Sequence, residues 1–327
     1  MVNLLDLTGK RGQARPRRRI RLSKAAFKRA LSRAPLIGNR LNRAKVVQRC
    51  EAFLGEPLAM DPPAGFNALI VHRLIYDRDP MLKRICDKIA VRGVIRERLG
   101  EDYVTPIIGF WDSPDEIPWH ALPDRFVLKP SHTSGPFAII HDKSSCDFKA
   151  LTEEAQEWLQ HDYFDLSPEW GYRGIPRRVL AEPLLIGPDG GGVPEANVMT
   201  FHGQTVAIRI YTGAKHSPDR LDNWFDVHGA RLPFHSLKYR PGDFVLAPEM
   251  ARRLAAVSAK AAAGFSHMRV DIYLTDQGLR IGELTPYHGA GQTKWSHPGC
   301  DRLFGRLWQD PALFGSIRDM GVAITEA

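Results

Sequence analysis

The chain has 327 residues, 43% hydrophobic and 25% charged, with a formal net charge of +8. No apolar run approaches the roughly 18 to 20 residues of a membrane-spanning helix, and the arginine-rich start lacks the apolar stretch and small-residue cleavage site of a secretory signal. The four cysteines, Cys50, Cys86, Cys146 and Cys300, stand far apart with no Cys-x-x-Cys pair, which argues against a zinc site and points to reduced, buried thiols.

These features predict a soluble, cytoplasmic protein of two domains, or one large α/β domain with an added segment. The charge is uneven. Residues 1–50 hold fifteen Lys and Arg against the single acid Asp6, a local +14 that leaves −6 for the remainder. The polybasic run 10–21 and a basic helix expected over 23–34, with Phe27 and Leu31 at i, i+4, suit an anionic surface. The inner face of the membrane is the favoured partner, with an acidic polymer or a solvated tail as alternatives and nucleic acid not favoured.

Residues 52–100 carry helical spacing, in Leu69, Val71, His72, Leu74 and Ile75 and again in Met81, Leu82, Ile85 and Ile89. A helix is expected to begin at Asp87 and to end at Gly100. Residues 104–111 read as a buried strand and 112–118 as an acidic loop with prolines. Then come a strand over 126–130, a polar loop over 131–136 and a strand over 137–141. Hydroxyls, backbone N–H groups and a glycine in such a loop can wrap phosphate oxygens, and Lys129 at the end of the first strand can neutralise them.

A helix over 151–160 leads to a strand over 178–186 that carries Glu182 inside an apolar stretch. A lone buried carboxylate is costly, so Glu182 needs a partner or a place at a cleft rim. After the loop 187–192, strands over 197–202 and 205–211 form a hairpin about Gly203-Gln204. Residues 219–226 concentrate charge around Trp224, and 248–263 form an alanine-rich helix ended by Gly264.

That helix delivers the chain to a second hairpin over 269–291, with its turn at Thr275-Asp276-Gln277-Gly278. Alternation sends Arg269, Asp271 and Tyr273 to one face, and a paired register brings Glu283 alongside Asp271. Converging carboxylates repel, and Mg²⁺ shared with substrate phosphates is one common way to keep both ionised. An ordinary solvent-facing hairpin is the alternative. The loop Gly289-Ala290-Gly291 and C-terminal helices, one including 302–308, complete the chain.

Asp87-Lys88-x-x-Val91-Arg92, Leu122-Pro123-x-x-Phe126-Val127-Leu128-Lys129-Pro130, Ala181-Glu182-Pro183-Leu184-Leu185, Arg269-Val270-Asp271-Ile272-Tyr273 and Gly282-Glu283-Leu284-Thr285 occur in that order. Together they resemble the TupA-like, teichuronopeptide-biosynthesis-type branch of the ATP-grasp superfamily over about residues 74–298. The resemblance implies an α+β fold in which two α+β lobes clamp ATP, with one or two Mg²⁺ ions as further cofactor. It implies a basic tail over 1–50, a helical or α/β region over 51–118, an N-lobe with a phosphate lid over 119–186, and a C-lobe with the metal site over 187–327.

Carried over by position, Lys129 resembles the lysine on the α and β phosphates and Lys88 the earlier basic residue of the nucleotide pocket. Ser131, Thr133, Ser134 and Gly135 resemble the phosphate lid, and Glu182 with Pro183, Leu184 and Leu185 the hinge at the adenine edge. Glu195 falls where the family has an acid for the ribose hydroxyls, and Asp271, Glu283 and Thr285 where it binds metal. Two positions depart from the pattern. Glu195-Ala196-Asn197 stands in place of Asp-Tyr-Lys, a missing cation whose role falls to Arg209 or Lys215, and Thr285 stands where the superfamily has asparagine.

The implied activity is an ATP-dependent carboxylate–amine ligase working through an acyl phosphate, in cell-envelope or extracellular polysaccharide biosynthesis. Arg209 and Arg269 are candidates for orienting the carboxylate or acyl phosphate, or else structural ion-pair partners. The rival readings are a kinase of a sugar or polyol hydroxyl, with Asp222, Asp226, His228 or His288 as base, and a nucleotide-binding scaffold without turnover. Acceptor specificity is expected in 170–173 and 215–228.

Overall fold

The β-branched and aromatic runs of the sequence fold as strands in the computed structural model, which describes residues 35–213, 217–317 and 319–327, with side chains from Arg43 onward except at Leu166. The basic run 10–21, the helix expected over 23–34 and Lys215 lie outside the described residues. The chain divides after Asn42, and the unit Arg43–Ala327 carries every described strand. Among the described residues no helix is long and apolar enough to cross a membrane.

A small antiparallel sheet joins β1 (Gly109–Trp111), β2 (Phe126–Pro130), β3 (Ala138–Ile140) and β4 (Val179–Pro183) in the order β1-β4-β2-β3. Val127 pairs with both Ile139 and Glu182, Lys129 pairs with Leu180, and Phe110 pairs with Leu180, so these side chains share one face. Phe126, Leu128, Ile140, Val179 and Ala181 take the other face and form a core with Ala155 and Trp158 of helix Phe148–Gln160. That helix starts at Asp147, whose carboxylate accepts from Ala150 N. Alternation thus buries an apolar layer on one side and leaves Lys129 and Glu182 on the other.

The large sheet holds β5 (Glu195–Phe201), β6 (Gln204–Thr212), β7 (Leu221–Phe225), β8 (Arg240–Pro241), β9 (His267–Thr275) and β10 (Gly278–Thr285) in the order β10-β9-β5-β6-β7-β8. Ala196, Val198, Val270 and Ile272 fill its buried face, and helix Pro248–Ala261 packs across β5 and β6. On the opposite face, Phe66, Phe304 and Trp308 of helices Phe66–Tyr76 and Gly299–Gln309 cover Phe201 and His267 at one end. The remainder of that face carries Arg269, Asp271 and Tyr273.

Several elements differ from the sequence reading. The helix expected from Asp87 begins at Val91, because Asp87 Oδ1 accepts from Ile89 N and holds 87–90 in a turn. The strand expected over 104–111 is confined to β1 and is not buried, since Pro106 offers no N–H and Phe110 is 47% exposed. The β5–β6 turn is His202-Gly203, both at positive φ, one residue earlier than expected. The charged stretch around Trp224 forms β7, an internal strand with Asp222 and Trp224 buried. Cys146 is half-buried, while Cys50, Cys86 and Cys300 are buried thiols.

Candidate active site

Asp271 on β9 pairs with Glu283 on β10 and, on its other side, with Asn197 on β5. The first pairing depends on a bulge. Up to Ile281 the ladder runs in step with Ile272; Gly282 then adds an unpaired residue, and Glu283 falls opposite Asp271 instead of Val270. Val270 is fully buried, so the unshifted register would drive Glu283 into the apolar core. A Cβ at residue 282 would stand 2.6 Å from the Tyr273 ring, which leaves glycine as the residue that fits.

Arg269 grips Asp271 with two bonds, Nε to Oδ1 at 2.7 Å and Nη2 to Oδ2 at 2.6 Å. The Thr285 hydroxyl lies 3.3 Å from both Asp271 Oδ2 and Arg269 Nη2. Burial pushes the Asp271 carboxyl up to about 6 against the pull of Arg269, and the Glu195 and Glu283 charges push the same way. This donor set fits a cation that arrives with phosphates, because Mg²⁺ takes one or two protein carboxylates and fills its shell with phosphate and water oxygens. Among the described residues no three His, Cys, Asp or Glu converge as a metal cage by themselves.

The small sheet supplies the opposing charge. Glu182 is buried and has two cationic partners, Lys129 Nζ at 2.7 Å from Oε2 and Arg92 Nη2 on Oε1. Burial alone would raise this carboxyl, but Lys129 and Arg92 hold it below its ordinary value. Lys88 sits in the turn before helix Val91–Leu99; its ammonium donates to Thr133 O and stands 3.4 Å from Glu283 Oε1. It therefore touches the polar loop and the carboxylate hairpin together.

In the loop after β2, Ser131 is an anchor, with N donating to Arg178 O at 2.8 Å and Oγ to Pro176 O at 3.1 Å. Thr133 is buried, while Ser134 and Gly135 are exposed, with Gly135 at φ 124°. Phe110 and Ile139, the latter 44% exposed, share the Lys129 face and give it an apolar floor suited to a flat ring. Sequence reasoning missed that floor, although the alternation of β2 and β3 already assigns Ile139 to it. Pro183, Leu184 and Leu185 are half-buried where the chain leaves β4 for β5.

Glu195 stands on β5 opposite Tyr273. Arg220 Nη2 donates to its Oε2 at 2.9 Å and Asn197 Nδ2 to its Oε1 at 3.1 Å. Among the described residues Arg220, not Arg209, is a cation bonded to Glu195. Arg209 is turned to Asp222, with Nε to Oδ1 at 2.6 Å and Nη2 to Oδ2 at 2.8 Å, both residues buried. The Tyr211 ring meets both guanidinium groups, its centre 4.2 Å from that of Arg209 and 4.0 Å from that of Arg220. Of the other bases considered, Asp226 accepts the His228 and Ala230 N–H groups of a turn, His228 is exposed, and burial beside Phe66 pushes the His288 ring well below the usual imidazole range.

The fold is thus mixed α+β with two sheets, the smaller offering Lys129 and the polar loop, the larger a carboxylate pair, with Lys88 of the turn before helix Val91–Leu99 reaching both the loop and Glu283. The TupA-like ATPgrasp family matches residues 68–309, and the chain belongs to that family. No curated protein matches it. Among solved structures it is similar to D-alanine–D-alanine ligase from Bacillus anthracis complexed with ATP, at 17% identity and TM-score 0.41 over 74% of this chain and 62% of that one. It is also similar to the ATP-grasp ligase PsnB complexed with minimal precursor, at 12% identity and TM-score 0.36 over 64% and 54%. D-alanine–D-alanine ligase from Helicobacter pylori gives 14%, 0.35, 64% and 53%. The chain thus spans less than two thirds of each neighbour, and the assignment rests on the family match.

Proposed function

We propose that the protein is an ATP-dependent carboxylate–amine ligase, working through an acyl phosphate in the assembly of a cell-envelope or extracellular polysaccharide. The observation that carries this reading is Lys88, whose ammonium reaches both Thr133 O and Glu283 and so joins a polar loop to a carboxylate pair. A carboxylate is a poor electrophile. Its oxygen attacks the γ-phosphorus as ADP departs; an amine nitrogen then attacks the acyl carbon, loses a proton, and phosphate leaves with the electrons of the C–O bond.

In this reading Lys129 and Lys88 bind phosphate oxygens, the exposed Ser134 and Gly135 close over them, and the backbone of 183–185 meets the adenine edge. Glu195 accepts from ribose hydroxyls. Asp271 and Glu283, with Thr285 beside them, would hold Mg²⁺, which supplies neutralising charge between phosphates when bound. Arg269, whose fork also grips Asp271 but whose side chain is 18% exposed against 6% for Arg209, orients the carboxylate and then the acyl phosphate, while Arg209, committed to the buried Asp222, contributes by holding Tyr211. The basic run at 10–21 supports a cytoplasmic protein attached to an anionic membrane face, and removal of residues 1–45 should weaken binding to anionic vesicles.

The test is incubation of purified protein with ATP, Mg²⁺ and a panel of amino acids and uronic-acid sugars. The expected products are ADP, free phosphate and an adduct whose mass is that of both acceptors less one water. ADP with a phosphorylated acceptor and no free phosphate would make the protein a hydroxyl kinase. Tight nucleotide binding with no turnover would make it a scaffold.

A further inference from the structure

We infer that Arg92 is a positioning residue that sets the spacing of Lys88 and Lys129, an inference that rests on the nucleotide reading of the site. Arg92 is the second residue of helix Val91–Leu99 and is buried. Its guanidinium reaches acceptors in three separate segments. Nη1 donates to the carbonyl of Lys88, Nη2 to Glu182 Oε1 on β4, and Nε to Thr105 O at 2.8 Å.

Each acceptor leads to a group of the site. The second oxygen of Glu182 takes Lys129 Nζ at 2.7 Å. The Lys88 carbonyl belongs to the residue whose ammonium meets Thr133 O and Glu283. Thr105 Oγ1 donates to Ile281 O at 2.8 Å, the last paired residue before the Gly282 bulge that delivers Glu283. One side chain therefore joins the lysine turn, the small sheet and the carboxylate hairpin.

Only a guanidinium suits this place. Its donors point in fixed, divergent directions in one plane, whereas an ammonium is a compact point charge on a flexible stem. Arg92, Lys88 and Lys129 together face Glu182 and Glu283, and that surplus of positive charge suits a polyphosphate. Arg92 meets the site groups through their carbonyls and carboxylates, so it acts through the lysines and not on phosphate itself.

The test is calorimetric binding of Mg²⁺–ADP to the full chain, with folding followed by circular dichroism and thermal melting. Arg92→Lys and Glu182→Gln should each stay folded and weaken binding by about tenfold or more, as expected for loss of a charged hydrogen bond. In a Lys129→Met background, Arg92→Lys should cost clearly less than in the wild type, because one of the two lysines it positions is already gone and only its hold on Lys88 remains to be lost. Losses that multiply across that cycle, or Arg92→Lys binding within about twofold of wild type, would overturn the inference. Should Arg92→Lys fail to fold, the Glu182→Gln and Lys129→Met cycle tests the same linkage from its other end. Wild-type protein that binds no nucleotide would overturn the site reading and this inference with it.

Discussion

Asp271 and Glu283 face each other across β9 and β10 because Gly282 adds one residue to β10. A bulge costs a ladder bond and is kept where it re-aims a side chain. Gly282→Ala places a methyl 2.6 Å from the Tyr273 ring and should cost about 1–3 kcal/mol. Thermal melting and Mg²⁺-dependent ADP release, measured on the same preparation, should show activity falling further than stability. A variant that melts early yet keeps full turnover would separate the bulge from the site.

Glu283→Gln keeps the shape of the side chain and removes its charge. Glu283 is one-third exposed at its side chain, so the fold should survive. Turnover should fall on the order of a hundredfold or more, the scale seen when a preorganised electrostatic group is lost from a transition state. The apparent Mg²⁺ requirement should rise in the same titration. Full activity at wild-type Mg²⁺ would remove Glu283 from the metal assignment.

The hairpin, the paired carboxylates and the need of Glu182 for a partner were legible because each follows from local alternation or from the cost of a buried charge. Gly282 was not. Whether a glycine in a strand is a bulge depends on the partner strand, and here it depends on the Tyr273 ring two positions from Asp271. The same limit hid the partners of Arg92 and Arg220, since Glu182 and Glu195 lie 90 and 25 residues away. Sequence can show that a carboxylate needs a cation; which cation reaches it is a matter of topology.

Arg209 and Asp222 form a bidentate pair in the interior, and Ser236 N donates to Asp222 Oδ2 at 3.1 Å. Breaking such a pair strands a buried charge, so Asp222→Asn and Arg209→Met should each destabilise the protein by about 3–5 kcal/mol. The double variant should cost less than the sum of the two, since neither charge is then left alone. Denaturant unfolding checks this. Single variants of wild-type stability with lost turnover would instead give Arg209 a direct place in the chemistry.

Glu169 gives the fold a pH dependence of predictable sign. Its carboxylate accepts from Ser167 Oγ at 2.7 Å and Tyr163 OH at 3.3 Å, and burial pushes it up to about 7 against those bonds. Tyr172, Cys86 and Tyr287 also feel it, and Arg49 and Glu283 are the charges acting on it. The folded protein thus holds a proton that the unfolded chain releases near 4.5. Stability from this group is full below that value and is lost as pH rises through about 7, by up to about 3 kcal/mol. Wild type should therefore lose more stability than Glu169→Gln between pH 5 and 7.5, each referred to its own value at about pH 5. Asp271 contributes with the same sign, so the difference between the two profiles is the readout. Parallel melting profiles would show that Glu169 is ionised in the folded protein throughout that range.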